Sequence, residues 1–299
     1  MRKLLLLVLV AALAAFAAGC GSDDEEATPP AGDTATEAAD PCAKESLETR
    51  TAGRLTIGTD NPAYPPWFEI GEPATEPWEL GDPTNGEGFE SAVAYAVAGE
   101  LGFSEDEVDW TVVPFDQSFR PGPKDFDFDI NQISYSDERA QAVNFSDSYY
   151  DVNQALVALQ ANKIADAQSI AELKDAKLGA PVGTTSYQYI VDNIEPSSQP
   201  SVYNTLNDAI SAVKAKQIDG VVVDLPTAFF ITAAQLENST IVGQFPAVGE
   251  QEYFAMALEQ DSPLVDCVDA ALARLKDGGR LAEIQQEWLS DKADAPVLE

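Results

Sequence analysis

The sequence predicts an α/β fold, and three observations carry that expectation. Short apolar runs of strand length alternate with segments of helical periodicity over most of the chain. One run, GVVVD at 220–224, is apolar up to its last residue, as a strand buried in a sheet would be. The strand-helix rhythm also restarts after residue 159, and the roughly 255 residues beyond the N-terminal region suit one large or two medium domains.

The elements follow in order. RLTIGT at 54–59 reads as a strand. GFESAVAYAVAGELG at 88–102 reads as a helix, because Phe89, Val93, Val97 and Leu101 fall on one face. WTVVPF at 110–115, FDFDINQIS at 126–134 and QALVAL at 154–159 read as strands. SIAELKD at 169–175 reads as a short helix with Ser169 and Glu172 forming a capping box. KLGAPVG at 177–183 is a strand, TTSYQYIVDN at 184–193 a helix start, and TLNDAISAVKAKQ at 205–217 an amphipathic helix leading into GVVVD. EYFAMAL at 252–258 is a last strand, and two helices, 264–278 and 280–290, close the pattern. The Pro-rich stretch 69–88 reads as a long surface insertion.

Residues 1–20 read as an export signal rather than as fold. Arg2 and Lys3 precede an apolar core too short for a comfortable membrane span. Small residues then run directly into Cys20, and AAGC resembles a bacterial lipobox, with Ala17 where Leu is usual. That resemblance implies lipid on Cys20 and an extracytoplasmic protein anchored to the cell membrane; an ordinary cleaved signal is the alternative. Residues 21–41 hold no aromatic and no large aliphatic side chain, so they read as a flexible acidic tether. Cys42 and Cys267 remain, and an exported context favours their pairing over two unrelated thiols.

The composition excludes whole classes of function. There are 51 acidic against 17 basic residues, a formal net charge of −34, which argues against a nucleic-acid partner. There is no histidine, which removes Ser-His-Asp and Cys-His catalysis and most zinc sites. No catalytic residue, metal site or cofactor is expected.

In so acidic a chain, Arg139 in ISYSDERAQAVNFSDSYY stands out. An Arg can grip a carboxylate through two parallel hydrogen bonds, which Lys cannot. A salt bridge to Glu138 or Asp147 is the plain alternative. Gly183 permits close backbone approach, and Thr184 and Thr185 open a helix whose free N–H groups favour an anion, although a Thr there is also a common cap. Asp224 ends the buried run, where a carboxylate is costly unless paired. An ammonium would pair it; capping of the LPTAFF segment that follows is the other reading.

Seven fragments in order, GTDNPAYPPW, GFES, FDINQISYSDER, NFSDSYY, LGAPVGTTSYQYI, DGVVVDLP and GGRLAEIQQEWL, resemble the type 2 periplasmic solute-binding proteins. More narrowly, the chain resembles the polar amino-acid branch that feeds ABC importers. The resemblance covers about Arg54 to Leu289. It implies two α/β lobes joined by two crossing hinge segments, lobe one being 42–153 plus 250–299 and lobe two 154–249. It implies that Arg139, Ser134, Thr184 and Thr185 hold a ligand carboxylate, and that Gln132, through its carbonyl, and Asp224 hold the ammonium. It further implies that Tyr64 and Phe115 sandwich the side chain, with Trp67 as a neighbour, and that Asp60 meets a cationic one.

The sequence departs from the family pattern at Glu90 and Ser91, by one extra residue between Asp60 and Tyr64, and in DQSFRPGPKDFD at 116–127, broken by two prolines and a glycine. These departures touch side-chain specificity. Glu90 is therefore expected to matter little for binding, and Arg120 is the one basic residue that could serve an acidic ligand. The expected function is capture of a free amino acid, cationic or neutral polar, and its delivery to an ABC permease by a monomer. A small-acid dehydratase and a ligand-sensing module are the alternatives.

Overall fold

The computed structural model describes residues 40–71, 75–289 and 295–298. The expected signal peptide 1–20 with Cys20, and the expected tether up to residue 39, lie outside the described residues.

Ten strands form two five-stranded sheets. The first contains β1 (Leu55–Thr59), β2 (Val108–Val112), β3 (Phe128–Asp129), β4 (Asn144–Asp151) and β10 (Tyr253–Leu258), in the order β2-β1-β3-β10-β4. The second contains β5 (Gln154–Leu159), β6 (Leu178–Pro181), β7 (Ser201–Tyr203), β8 (Gly220–Asp224) and β9 (Ser239–Gln244), in the order β7-β6-β8-β5-β9. In each sheet four strands run in one direction and one runs against them, β10 in the first and β5 in the second. Each sheet with its helices is one lobe of a two-lobed α/β molecule. The chain crosses between lobes after β4 and returns before β10.

The first lobe buries α1 (Phe89–Glu100), α6 (Val265–Asp277) and α7 (Arg280–Leu289) against its sheet. The predicted apolar face of α1 is buried as its 3.6-residue spacing requires, Phe89, Val93 and Val97 at 0 % exposure. Cys42 is bonded to Cys267, their Cα atoms 5.3 Å apart, which ties the start of this lobe to α6.

The second sheet is covered on both faces, and the two-residue period of its strands shows how. Ala155 and Val157 of β5, with Val221 and Val223 of β8, pack on the side of α4 (Leu206–Lys214) and α5 (Leu225–Phe230). Their neighbours Leu156, Ala158 and Val222 pack on the opposite side with Ile190 and Ile194, which follow α3 (Thr185–Tyr189).

Several expectations change. The strand expected at 126–134 keeps regular pairing only at Phe128–Asp129, and Phe115 opens a four-residue helix, α2 (Phe115–Ser118), instead of ending a strand. The stretch 69–88, read as a long surface insertion, is anchored among its described residues: Trp78 is 5 % exposed, and the Gly81 N–H donates to Ala63 O at 2.8 Å. Gly88, at φ +97°, allows this close packing, because an added Cβ would fall 2.6 Å from Phe68 Cα and Trp67 O. Residues 295–298, expected on lobe one, lie on lobe two. Val297 bridges Gln244, and Ala295 and Leu298 fill its two apolar clusters.

Candidate functional site

Loops at the ends of both sheets enclose a cavity of about 350 Å³ between the lobes. Eight of the nine ligand-binding residues expected from sequence line it: Asp60, Tyr64, Phe115, Gln132, Ser134, Thr184, Thr185 and Asp224. They come from five separate stretches of chain. Arg139 is the exception. Its guanidinium lies next to the wall, donating to Ser134 O at 2.5 Å and to Gly183 O at 2.8 Å. It also stacks over Phe119 at 4.2 Å and Phe115 at 5.6 Å. Burial lowers its pKa to about 10, against the opposing charges of Glu252 and Glu138. Among the described residues it makes no salt bridge to Glu138 or Asp147.

Local structure sets each wall. Thr184 caps α3, its Oγ1 accepting the Tyr187 N–H at 3.3 Å. That leaves Thr185 to reach across, its Oγ1 3.3 Å from Ser134 Oγ of the other lobe. Asp224 caps α5 through the Thr227 N–H at 2.9 Å and lines the cavity as well, so the two readings of this residue coexist. Burial raises its pKa to about 6 in spite of the bonds from Thr227. Burial also raises that of Asp60, whose carboxylate the Asn61 and Phe115 N–H groups partly stabilise.

Glu90 has a larger place than expected. It is fully buried and does not line the cavity. Its carboxylate accepts the Gln132 N–H at 2.7 Å, the Gln132 side-chain amide and the Tyr149 hydroxyl. Gln132 sits at φ +47°, in the left-handed region, and Glu90 holds it there. Burial raises the Glu90 pKa to about 7.

Trp67 is core rather than wall: it is fully buried, and its indole N–H donates to Thr227 Oγ1 of the other lobe at 2.9 Å. Arg120 does not face the cavity; it pairs at the surface with Asp116 at 3.3 Å. Sequence reasoning missed Asp116, Asn204, Gln154 and Ser186, which also line the cavity. The one available signal was the Thr205 cap, which places Asn204 just before the start of α4. It missed Glu252 too, which accepts hydrogen bonds from three lining residues, Ser134, Gln154 and Thr185.

The cavity is acidic. Asp60, Asp116 and Asp224 line it, and among the described residues no Lys or Arg does. Two lobes meeting over a small cavity lined by apolar, aromatic and acidic side chains between crossing segments define a solute-binding protein. Residues 55–291 match the model of the bacterial extracellular solute-binding proteins, family 3, and the chain belongs to that family. The family works outside the cytoplasm. The chain is 27% identical over 250 residues to an arginine-binding periplasmic protein of Mannheimia haemolytica, covering 81% of this chain and 94% of that one. It is 23% identical over 218 residues to the arginine-binding extracellular protein ArtP of Bacillus subtilis (strain 168), covering 72% and 82%. Among solved structures, an ancestral arginine-binding protein bound to glutamine superposes with a TM-score of 0.63 at 25% identity, covering 80% of this chain and 98% of that one.

Proposed function

We propose that this protein captures a free cationic amino acid between its lobes and delivers it to an ABC importer, held at the membrane by lipid on Cys20. The observation that carries the reading is the cavity lining: the carboxylates of Asp60, Asp224 and Asp116, the last also paired with Arg120, and no basic side chain among the described residues. Asp224 and the Gln132 carbonyl would take the α-ammonium. Ser134, Thr185 and the neighbouring Arg139 would take the carboxylate. Tyr64 and Phe115 would flank the side chain, with its cation near Asp60 and Asp116. The carboxylate grip draws on both lobes, since Ser134 and Arg139 belong to one and Thr185 to the other. A ligand therefore favours the closed arrangement because only that arrangement engages both sides.

The names of the relatives, arginine-binding in both sequences cited, support a cationic ligand. Binding without turnover is the reading preferred over a dehydratase. Glu90 has the raised pKa of a general acid, yet it bonds Gln132 and Tyr149 and lies outside the cavity lining. The test is a thermal-shift screen against the twenty common amino acids, since a ligand that binds only the folded state raises Tm. Arginine or lysine should give the largest rise. A larger rise with glutamate or aspartate, or none with any, would reject the cationic reading.

A further inference from the structure

This inference rests on the amino-acid reading above. Three groups assigned to the ligand's carboxylate are already engaged within the protein. Ser134 Oγ donates to Glu252 Oε1 at 2.6 Å, and Thr185 Oγ1 donates to the same oxygen at 2.6 Å. Gln154 Nε2 donates to both Glu252 oxygens, at 3.2 and 3.0 Å. Arg139 gives its two terminal nitrogens to the carbonyls of Ser134 and Gly183. A hydroxyl has one proton to donate. While Ser134 and Thr185 donate theirs to Glu252, an arriving carboxylate meets their lone pairs and, beyond them, a like charge.

We propose that Glu252 is a specificity-determining residue: an internal carboxylate that holds the anchor for the ligand's carboxylate and must release it before an amino acid binds. Glu252 lies on the segment that returns the chain to lobe one, just before β10. Ser134 belongs to lobe one, Gln154 and Thr185 to lobe two, so the same carboxylate ties the lobes together. The ligand's carboxylate then adds little to affinity, because it gains donors that Glu252 loses. The acidic cavity attracts the ligand's positive charges, and these set the affinity. The parent protein should discriminate weakly between an amino acid and its amide, which lacks the negative charge.

The experiment is calorimetric titration of the parent, Glu252→Ala and Glu252→Gln with L-arginine and L-argininamide at neutral pH. Freeing two charged-acceptor hydrogen bonds should tighten L-arginine binding by about tenfold or more in Glu252→Ala, with L-argininamide changing less. Glu252→Gln should move in the same direction. The acid-to-amide ratio is the decisive readout, since a variant that merely loosened the fold would weaken both ligands alike. An unchanged ratio, or weaker L-arginine binding in both variants, overturns the role of Glu252 while leaving amino-acid capture standing. If all three proteins are folded by circular dichroism and none binds any common amino acid, the amino-acid reading itself falls, and this inference with it.

Discussion

At the scale of single residues, Asp224 and Glu90 show opposite uses of a buried carboxylate. Asp224 must be ionised to hold an ammonium, and its pKa is about 6. Ligand affinity should therefore be flat above neutrality and fall as pH drops through 6, by about tenfold at pH 5. Asp224→Asn should bind ~30-fold to several thousand-fold more weakly, the usual cost of unpairing a desolvated charge. Calorimetry across that pH range checks both, and a pH-independent affinity would count against Asp224 as the anchor. Glu90 touches no cavity surface, so its protonation reports on stability instead. Its folded pKa, about 7, lies above its ordinary value of 4.5. A raised pKa contributes stability that is complete below the unfolded value and is lost as pH rises through the folded one. Between pH 4.5 and 7 that loss should approach about 3 kcal/mol, and Glu90→Gln should remove the slope. Urea melts at several pH values measure it; equal slopes in parent and variant would refute the assignment.

Residue chemistry was legible in the sequence where a motif carried it. Asp60, Tyr64, Phe115, Ser134, Thr185 and Asp224 do line one cavity. At Glu90 the sequence showed only a departure from a family pattern; that burial makes its carboxylate the support for Gln132 was not legible there. Glu252 was invisible for a different reason. It is one acid among 51, and only the crossing of the chain between lobes brings it to Ser134 and Thr185. Arg139 was singled out by its charge, but nothing in its neighbourhood of sequence foretold that Phe119 and the Gly183 carbonyl would hold it.

At the scale of elements, long periodic segments were legible and short ones were not. The spacing in α1 and the apolar run of β8 appear in the structure as read. β7 has only three residues, too few for periodicity to register, and β4, an edge strand of its sheet, reads NFSDSYYD, polar-rich and without a two-residue alternation. The disulfide acts at this scale. It joins the start of lobe one to α6 across 225 residues of chain, so it restricts the unfolded ensemble strongly. A Cys42→Ser, Cys267→Ser double variant should lose about 2–4 kcal/mol of stability while keeping its ligand affinity, because neither cysteine lines the cavity. Chemical denaturation with a ligand titration on the same sample checks both halves. An unchanged midpoint would mean that the bridge adds nothing to the fold.

At the scale of the whole molecule, the two lobes share one division of labour. The hydroxyls of Ser134 from lobe one and Thr185 from lobe two meet at 3.3 Å, and Trp67 and Thr227 bond across the gap. In the proposed function the solute is held where these lobes meet, and the acidic lining selects which solute that is. The most direct measurement is calorimetric titration of the protein at neutral pH with L-arginine and, separately, with L-glutamate. Saturable one-to-one binding of L-arginine, with L-glutamate at least a hundredfold weaker, is the predicted result. Equal or tighter binding of L-glutamate would contradict the account, because among the described residues the cavity lining holds three carboxylates and no basic side chain to meet it.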